Sequence, residues 1–156
     1  MVINSRSKGQ RGEREVRDIL QKVMDEVGRE MNLPFVPEVK RNLMQSMEGG
    51  HDLVGIPGIA VEVKFQENLQ PEKWWDQAVG QAFKAGIEPV LIYRRKNVRW
   101  RVRMWGFLGI SNPSEHEDCF QAHPVDVSLD EFLTWFEGHL TAYWRNNPPI
   151  VHHSNV

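Results

Sequence analysis

The sequence predicts an α/β fold, a mixed sheet flanked by helices, on three observations. Apolar residues recur at three- and four-residue steps near the start, the middle and the end of the chain. Short alternating or continuous apolar runs lie between those segments. Glycine and proline punctuate the junctions. The order reads helix, three strands, helix, two strands, helix, which packs as helices against a mixed sheet.

The first helix is predicted from Glu13 to Val27, where Val16, Ile19, Leu20, Val23, Met24 and Val27 make one apolar stripe. Pro34 and Pro37 then break the chain, and PEVKRNL reads as a short edge strand. A run from Asp52 to Gly55, a turn at Pro57 and Gly58, and the alternating IAVEVKF form a hairpin. Pro71 suits the first turn of the second helix, with Trp75, Ala78, Val79, Ala82 and Phe83 on its packing face and Gly86 at its end. EPVLIY is a buried strand, and NVRWRVRMW alternates basic with apolar residues, as a strand with one wet, positive face would. Gly106 to Val127 reads as irregular. Ser128 and Glu131 make a capping box for a last helix that buries Leu129, Phe132, Leu133, Phe136 and Leu140. Residues 146–156 read as a flexible tail on a single domain over residues 1–145.

The composition supports a folded, water-soluble domain. Of 156 residues, 40% are apolar and 26% charged, enough to bury a core and too few residues for two comfortable domains. One cysteine, Cys119, excludes an intrachain disulfide, and no apolar run approaches a membrane span, so a cytoplasmic location is expected. Cys119 and His123 alone make no tetrahedral zinc set. The net charge of −2 conceals two basic patches, Arg6 to Arg17 and Arg94 to Arg103. Such patches can meet phosphates even on a slightly acidic protein.

The chemistry concentrates in HDLVGIPGIAVEVKFQ. Alternation puts Val61, Val63 and Phe65 on one face of the strand and Glu62 and Lys64 on the other. A solvent-exposed face would account for that pair taken alone. Asp52, at the start of the partner strand, can converge on Glu62, and two carboxylates at one point call for a cation. A hard ion such as Mg²⁺ accepts one or two carboxylates, water, phosphate and a backbone carbonyl, here that of Val63. Lys64 would then orient water and balance charge on phosphate. Glu13 lies on the core-facing side of the first helix, whereas Glu15 points away; a helix-dipole role would explain either. Gln77 and Gln81 form a stripe with Trp74 opposite the alanine face, and Gln77, nearer the helix start, is the stronger candidate for binding phosphate or water.

Asp52, nine residues, then Glu62-Val63-Lys64, with a helical glutamate upstream and a helical glutamine downstream, resembles the PD-(D/E)xK nuclease superfamily. KGQRGERE, VKRN, HDLVG, VEVK, GIEPVLIYRR and VRWRV in that order are similar to Holliday junction resolvases of the archaeal and phage type. The resemblance covers about residues 5–104, leaving 105–145 as a C-terminal addition. His51 stands where the family's name-giving proline often does.

The resemblance implies a restriction-endonuclease-like core and a Mg²⁺-dependent, structure-selective DNA endonuclease, with Mn²⁺ able to substitute. It implies hydrolysis by in-line attack of a metal-activated water at four-way or branched DNA. The ions would be held by Asp52, Glu62, the Val63 carbonyl and Glu13, with Lys64 and Gln77 completing the catalytic set. DNA would be met by Arg6, Lys8 and Arg11 on a flexible arm, by Lys40, Arg41, His51 and Gln81, and by Arg99, Arg101 and Arg103 along one strand face. Two symmetric cuts imply a homodimer, with Trp135, Phe136 or the 106–127 segment as candidate interface. The compact plan suits a phage protein. A single-strand or end-processing exonuclease of the same superfamily, or a non-catalytic DNA-binding module, remains the alternative.

Overall fold

The computed structural model describes residues 5–44, 50–109 and 120–150. The side chain of Arg6, Cys119 and the tail beyond residue 150 lie outside the described residues. Helix α1 (Ser5–Glu30) leads to the short strands β1 (Lys40–Arg41) and β2 (Leu53–Val54), and then to β3 (Ile59–Phe65). Helix α2 (Pro71–Ala85) crosses to β4 (Glu88–Arg94), and β5 (Arg101–Gly109), β6 (Phe120–Ser128) and α3 (Leu129–Asn146) complete the described chain.

The six strands lie in sequence order in one sheet. Only β3 and β4 run parallel, and the other neighbours are antiparallel. A parallel pair needs a crossover, and α2 supplies it. The main core lies where α1 and α3 cover the sheet, with Val16, Leu20 and Met24 meeting Val61, Val63, Val102, Phe132, Phe136 and Leu140. A smaller core under α2 joins Trp74, Trp75 and Ala78 to Leu91 and Tyr93.

Several expectations need correction. The basic arm at Lys8 and Arg11 is not flexible chain: it is helical, because α1 begins at Ser5. Lys8 is tied there, paired with Glu67 and lying 4.9 Å from the Phe65 ring centroid. On α2, Trp74 is buried beside Trp75, Ala78 and Ala82 and does not share an outward stripe with the glutamines, while Phe83 is 86% exposed. Two adjacent tryptophans subtend enough of the helix to widen the packing face past the alanines. The segment from Gly106 to Val127 is not wholly irregular, since its ends extend β5 and form β6. β6 escapes a periodicity reading because FQAHPVDVS carries a proline and few apolar residues, as an edge strand can. Phe136 is fully buried and unavailable to an interface. Asn146, assigned to the tail, ends α3.

Elsewhere the local signals and the structure agree. Pro71 opens α2, and Gly86 closes it in the left-handed conformation at φ 67°. Ser128 Oγ accepts the Glu131 N–H at 3.2 Å while Glu131 accepts the Ser128 N–H at 2.7 Å, the reciprocal capping box.

Candidate active site

The site is built on β3. Its strand alternation holds, but both faces are covered, so Glu62 is not on a wet surface: it is 0% exposed. The reason is α2, whose small Ala78 and Ala82 and flat indoles let it lie directly over the strand. Burial of a carboxylate without full compensation is costly. Glu62 has partial compensation only. Lys64 Nζ lies 2.7 Å from its Oε1, and Gln77 Nε2 reaches the same oxygen at 3.4 Å. Its Oε2 is buried without a hydrogen-bond partner.

Asp52 is 6% exposed and fastened by backbone on both sides. Its carbonyl accepts the Asn42 N–H at 2.8 Å, and its own N–H donates to Val61 at 3.0 Å. Its Oδ2 accepts the Val63 N–H at 2.7 Å. This carboxylate therefore hangs beside the middle of β3. Gly55 makes the path possible: at φ +89° its missing Cβ would lie 2.3 Å from the Glu38 carbonyl oxygen. Burial, then the neighbouring Asp52 charge, push the Glu62 carboxyl up to about 7 against the pull of Lys64, with a smaller upward push from Glu13.

Glu13 approaches from α1. Gly12 permits that approach, because a Cβ there would come within 2.9 Å of Phe65 Cβ. The Glu13 carboxylate is bonded to Arg41 Nε at 2.6 Å. Glu15 points elsewhere, to Arg94 at 2.6 Å and the Trp100 indole at 2.9 Å. Among the described residues no three carboxylate, histidine or cysteine side chains form a closed metal cage. The structure thus brings Asp52, Glu62, Lys64 and Gln77 together, with Glu13 near enough to be felt and engaged by a guanidinium.

The remaining candidates are dispersed. Lys40 is exposed and pairs with Glu38 at 3.3 Å. His51 is half-buried, and burial lowers its pKa. Gln81 is half-buried with its Oε1 lacking a partner. Arg11 and Arg101 are exposed, and so is Arg99, which precedes β5. Arg103 does not share their wet face: it is 7% exposed, bound by Nε and Nη2 to the two oxygens of Asp126 and ion-paired with Glu72. Asp126 lies opposite it on β6, the strand that the sequence pattern hides. Asn42 is a residue that sequence reasoning missed. Its side-chain amide donates to the His51 carbonyl at 3.0 Å and its backbone holds Asp52, and only its place in VKRN hinted at a role.

The donor set suits a divalent cation. An orphaned, buried carboxylate oxygen beside a second carboxylate carries more negative charge than one ammonium balances, and a hard ion needs no more than one or two such ligands with water.

A profile of the family described as "phage putative PDDEXK endonuclease" matches residues 4–117. No curated protein matches the chain. Among solved structures, the Holliday junction resolvase Hjc of Archaeoglobus fulgidus is similar at 16% identity and a TM-score of 0.46, over 81% of this chain and 98% of that one.

Proposed function

Since the chain belongs to the phage PDDEXK endonuclease family, we propose that it is a divalent-metal-dependent, structure-selective DNA endonuclease whose substrate is a four-way or otherwise branched junction. The observation that carries the metal-dependent reading is Glu62, fully buried with one carboxylate oxygen unbonded, next to Asp52 and Lys64. Asp52 and Glu62 would hold Mg²⁺, or Mn²⁺ in its place, with the Val63 carbonyl and Glu13 as the further donors. A bound ion supplies Lewis-acid charge and an acidified water for phosphodiester hydrolysis.

The protein's own groups do the rest. Asp52, anchored at three backbone points, fixes one carboxylate in position before substrate arrives. Lys64 keeps Glu62 oriented and offers an ammonium where negative charge grows on the phosphate. Gln77, exposed on α2, donates weakly to the Glu62 oxygen that Lys64 also holds and would bind water or phosphate there. Arg41, steadied by Glu13, together with Lys8, Arg11, Lys40, His51, Gln81, Arg99 and Arg101, would meet the DNA backbone. Arg103 supports the fold. The branched substrate follows from the resemblance of KGQRGERE, VKRN and VEVK to resolvase motifs, and two symmetric cuts would require a homodimer. No helix among the described residues is long and apolar enough to cross a membrane.

Cleavage of a four-way junction, a Y-fork, a linear duplex and a single strand, each with Mg²⁺ or EDTA and each with Glu62→Ala, tests the reading. Paired nicks confined to the junction, absent with EDTA or the variant, are expected. Degradation from linear or single-stranded ends would instead identify an end-processing nuclease, and DNA binding without cutting would identify a non-catalytic module.

A further inference from the structure

Glu13 has two claimants. From α1 its Oε2 accepts a 2.6 Å bond from Arg41 Nε on β1, and the two side chains are only 20% and 17% exposed. Burial and Asp52 push the Glu62 carboxyl up, and the Glu13 charge adds to them, so Glu13 lies close by. Yet among the described residues no three acidic, histidine or cysteine side chains gather where one ion could be held. Bonded to Arg41, Glu13 therefore stands near Asp52 and Glu62 without joining them.

Arg41 has a second neighbourhood of its own. It lines a groove of about 290 Å³ with Arg17, Glu38, Val39, Lys40 and Leu43. Each cation of that groove has a carboxylate: Arg17 has Asp18 at 2.6 Å, Lys40 has Glu38 at 3.3 Å, and Arg41 has Glu13. The groove thus carries no standing positive excess, and a phosphate gains a partner there only when a cation leaves its carboxylate. One pair differs from the other two. Asp18 and Glu38 are 66% and 74% exposed, and parting them from their cations exchanges an ion pair for water. Glu13 stands beside two carboxylates that call for a divalent cation, so parting it from Arg41 exchanges one cation for another.

We propose that Arg41 is an exchange partner for Glu13: its guanidinium keeps this carboxylate out of the metal set until a DNA phosphate in the groove draws Arg41 away, and Glu13 then turns to the cation at Asp52 and Glu62. The inference rests on the metal-dependent nuclease reading and adds the order in which the site assembles. One ion pair gives way to two favourable contacts, carboxylate with dication and guanidinium with phosphate, and no charge is left alone. By linkage, metal favours DNA and DNA favours metal by the same factor. The set of carboxylates is completed on the substrate and stays incomplete away from it.

The test is a double-mutant cycle in metal binding without DNA, read by titration calorimetry with Mn²⁺ on wild type, Arg41→Ala, Glu13→Ala and the double variant. Arg17→Ala is the control, because it removes a like charge from the same groove one turn along α1 from Glu13. Arg41→Ala is expected to bind Mn²⁺ roughly tenfold more tightly than wild type, the scale of a coupling between sites. Glu13→Ala should change little where Arg41 is present and should erase the gain where it is not. Arg41→Gln repeats the cycle if circular dichroism shows the alanine variant unfolded. A second arm reads anisotropy of a labelled four-way junction in Ca²⁺ or EDTA, with a gel to confirm uncut DNA. The factor by which Ca²⁺ tightens the junction is expected to fall in Arg41→Ala and to hold in Arg17→Ala. A gain in Arg41→Ala that survives in the double variant, or an equal gain in Arg17→Ala, is a net-charge effect and overturns the exchange while leaving the nuclease reading intact. So does an Arg41→Ala affinity equal to that of wild type, or a Ca²⁺ factor the same in both. Wild type that binds neither Mn²⁺ nor Ca²⁺ overturns the metal-dependent reading and the exchange with it.

Discussion

Under α2 the sheet buries two charged side chains, Glu62 on β3 and Arg103 on β5, at 0% and 7% exposure, and the fold surrounds them differently. Arg103 makes a two-point bond to Asp126, which also accepts the Tyr93 hydroxyl at 2.8 Å, and Glu72 adds a further carboxylate. Asp126 is held below the usual carboxylate range by these partners despite its partial burial, and Arg103 is held above its own. Glu62 has the reverse balance. A second carboxylate sits beside it, its one cation shares one oxygen, and its pKa goes up. A buried charge that is balanced is accounted for by the structure, and one left unbalanced marks a candidate functional group.

Activity is where the two charges should part most widely. Glu62→Gln removes the unbalanced charge, and the cleavage rate is expected to fall roughly 10³-fold or more, as loss of several kcal/mol of transition-state stabilisation requires. The protein should stay folded, since the substitution also removes the repulsion from Asp52. Arg103→Ala should do the opposite, costing about 3 kcal/mol of stability by leaving Asp126 and Glu72 without their cation. Part of that is softened by solvent, because Asp126 and Glu72 are 27% and 80% exposed. Urea unfolding and cleavage assays on both variants decide the matter. Loss of folding in the first, or of activity without folding loss in the second, would remove the distinction.

Stability should part them again as pH changes. A carboxyl raised from 4.5 to about 7 favours the fold when protonated. That contribution is fully present below pH about 4.5 and disappears as pH rises through about 7, worth up to a few kcal/mol. In EDTA, Tm should therefore decline over this window, and the decline should be absent in Glu62→Gln. Mg²⁺ or Mn²⁺ should restore Tm most above pH 7, because binding must displace the proton. Asp126 has its pKa lowered, so its contribution is present above the unfolded value and lost only as pH falls into the acid range. Differential scanning calorimetry from pH 4 to 9, with and without metal, separates the two.

Much of this was readable in the sequence, and the omissions share a cause. The α/β order, the capping box at Ser128, Pro71 and Gly86 are local signals, and the structure repeats them. The convergence of Asp52 on Glu62 was also legible, since a hairpin turn fixes register over a few residues. What sequence spacing could not carry was partnership at a distance. Arg103 looked like a wet, DNA-facing arginine because Asp126 stands 23 residues away on a strand with weak periodicity. Lys8 looked mobile because Glu67 and Phe65 are remote from it in the chain. A solvent-exposed face could account for Glu62 and Lys64 taken alone, because strand alternation reports which face a residue takes, not what covers that face.

The smallest effects come from the outer member of each cluster, and they test the distinction at its edge. Tyr93→Phe deletes the hydroxyl bonded to Asp126 and is expected to cost about 1 kcal/mol with no change in cleavage, because Asp126 keeps its guanidinium. Burial and that bond raise the Tyr93 pKa to about 12, so the hydroxyl stays protonated through any working pH. Gln77→Ala removes a long hydrogen bond of 3.4 Å and should leave stability within about 0.5 kcal/mol. Its cost should appear in kcat, at roughly tenfold or less, if the amide places water or phosphate at Glu62. Equal small losses of stability in both, with cleavage untouched, would make Gln77 a surface glutamine and draw the boundary of the site at Lys64.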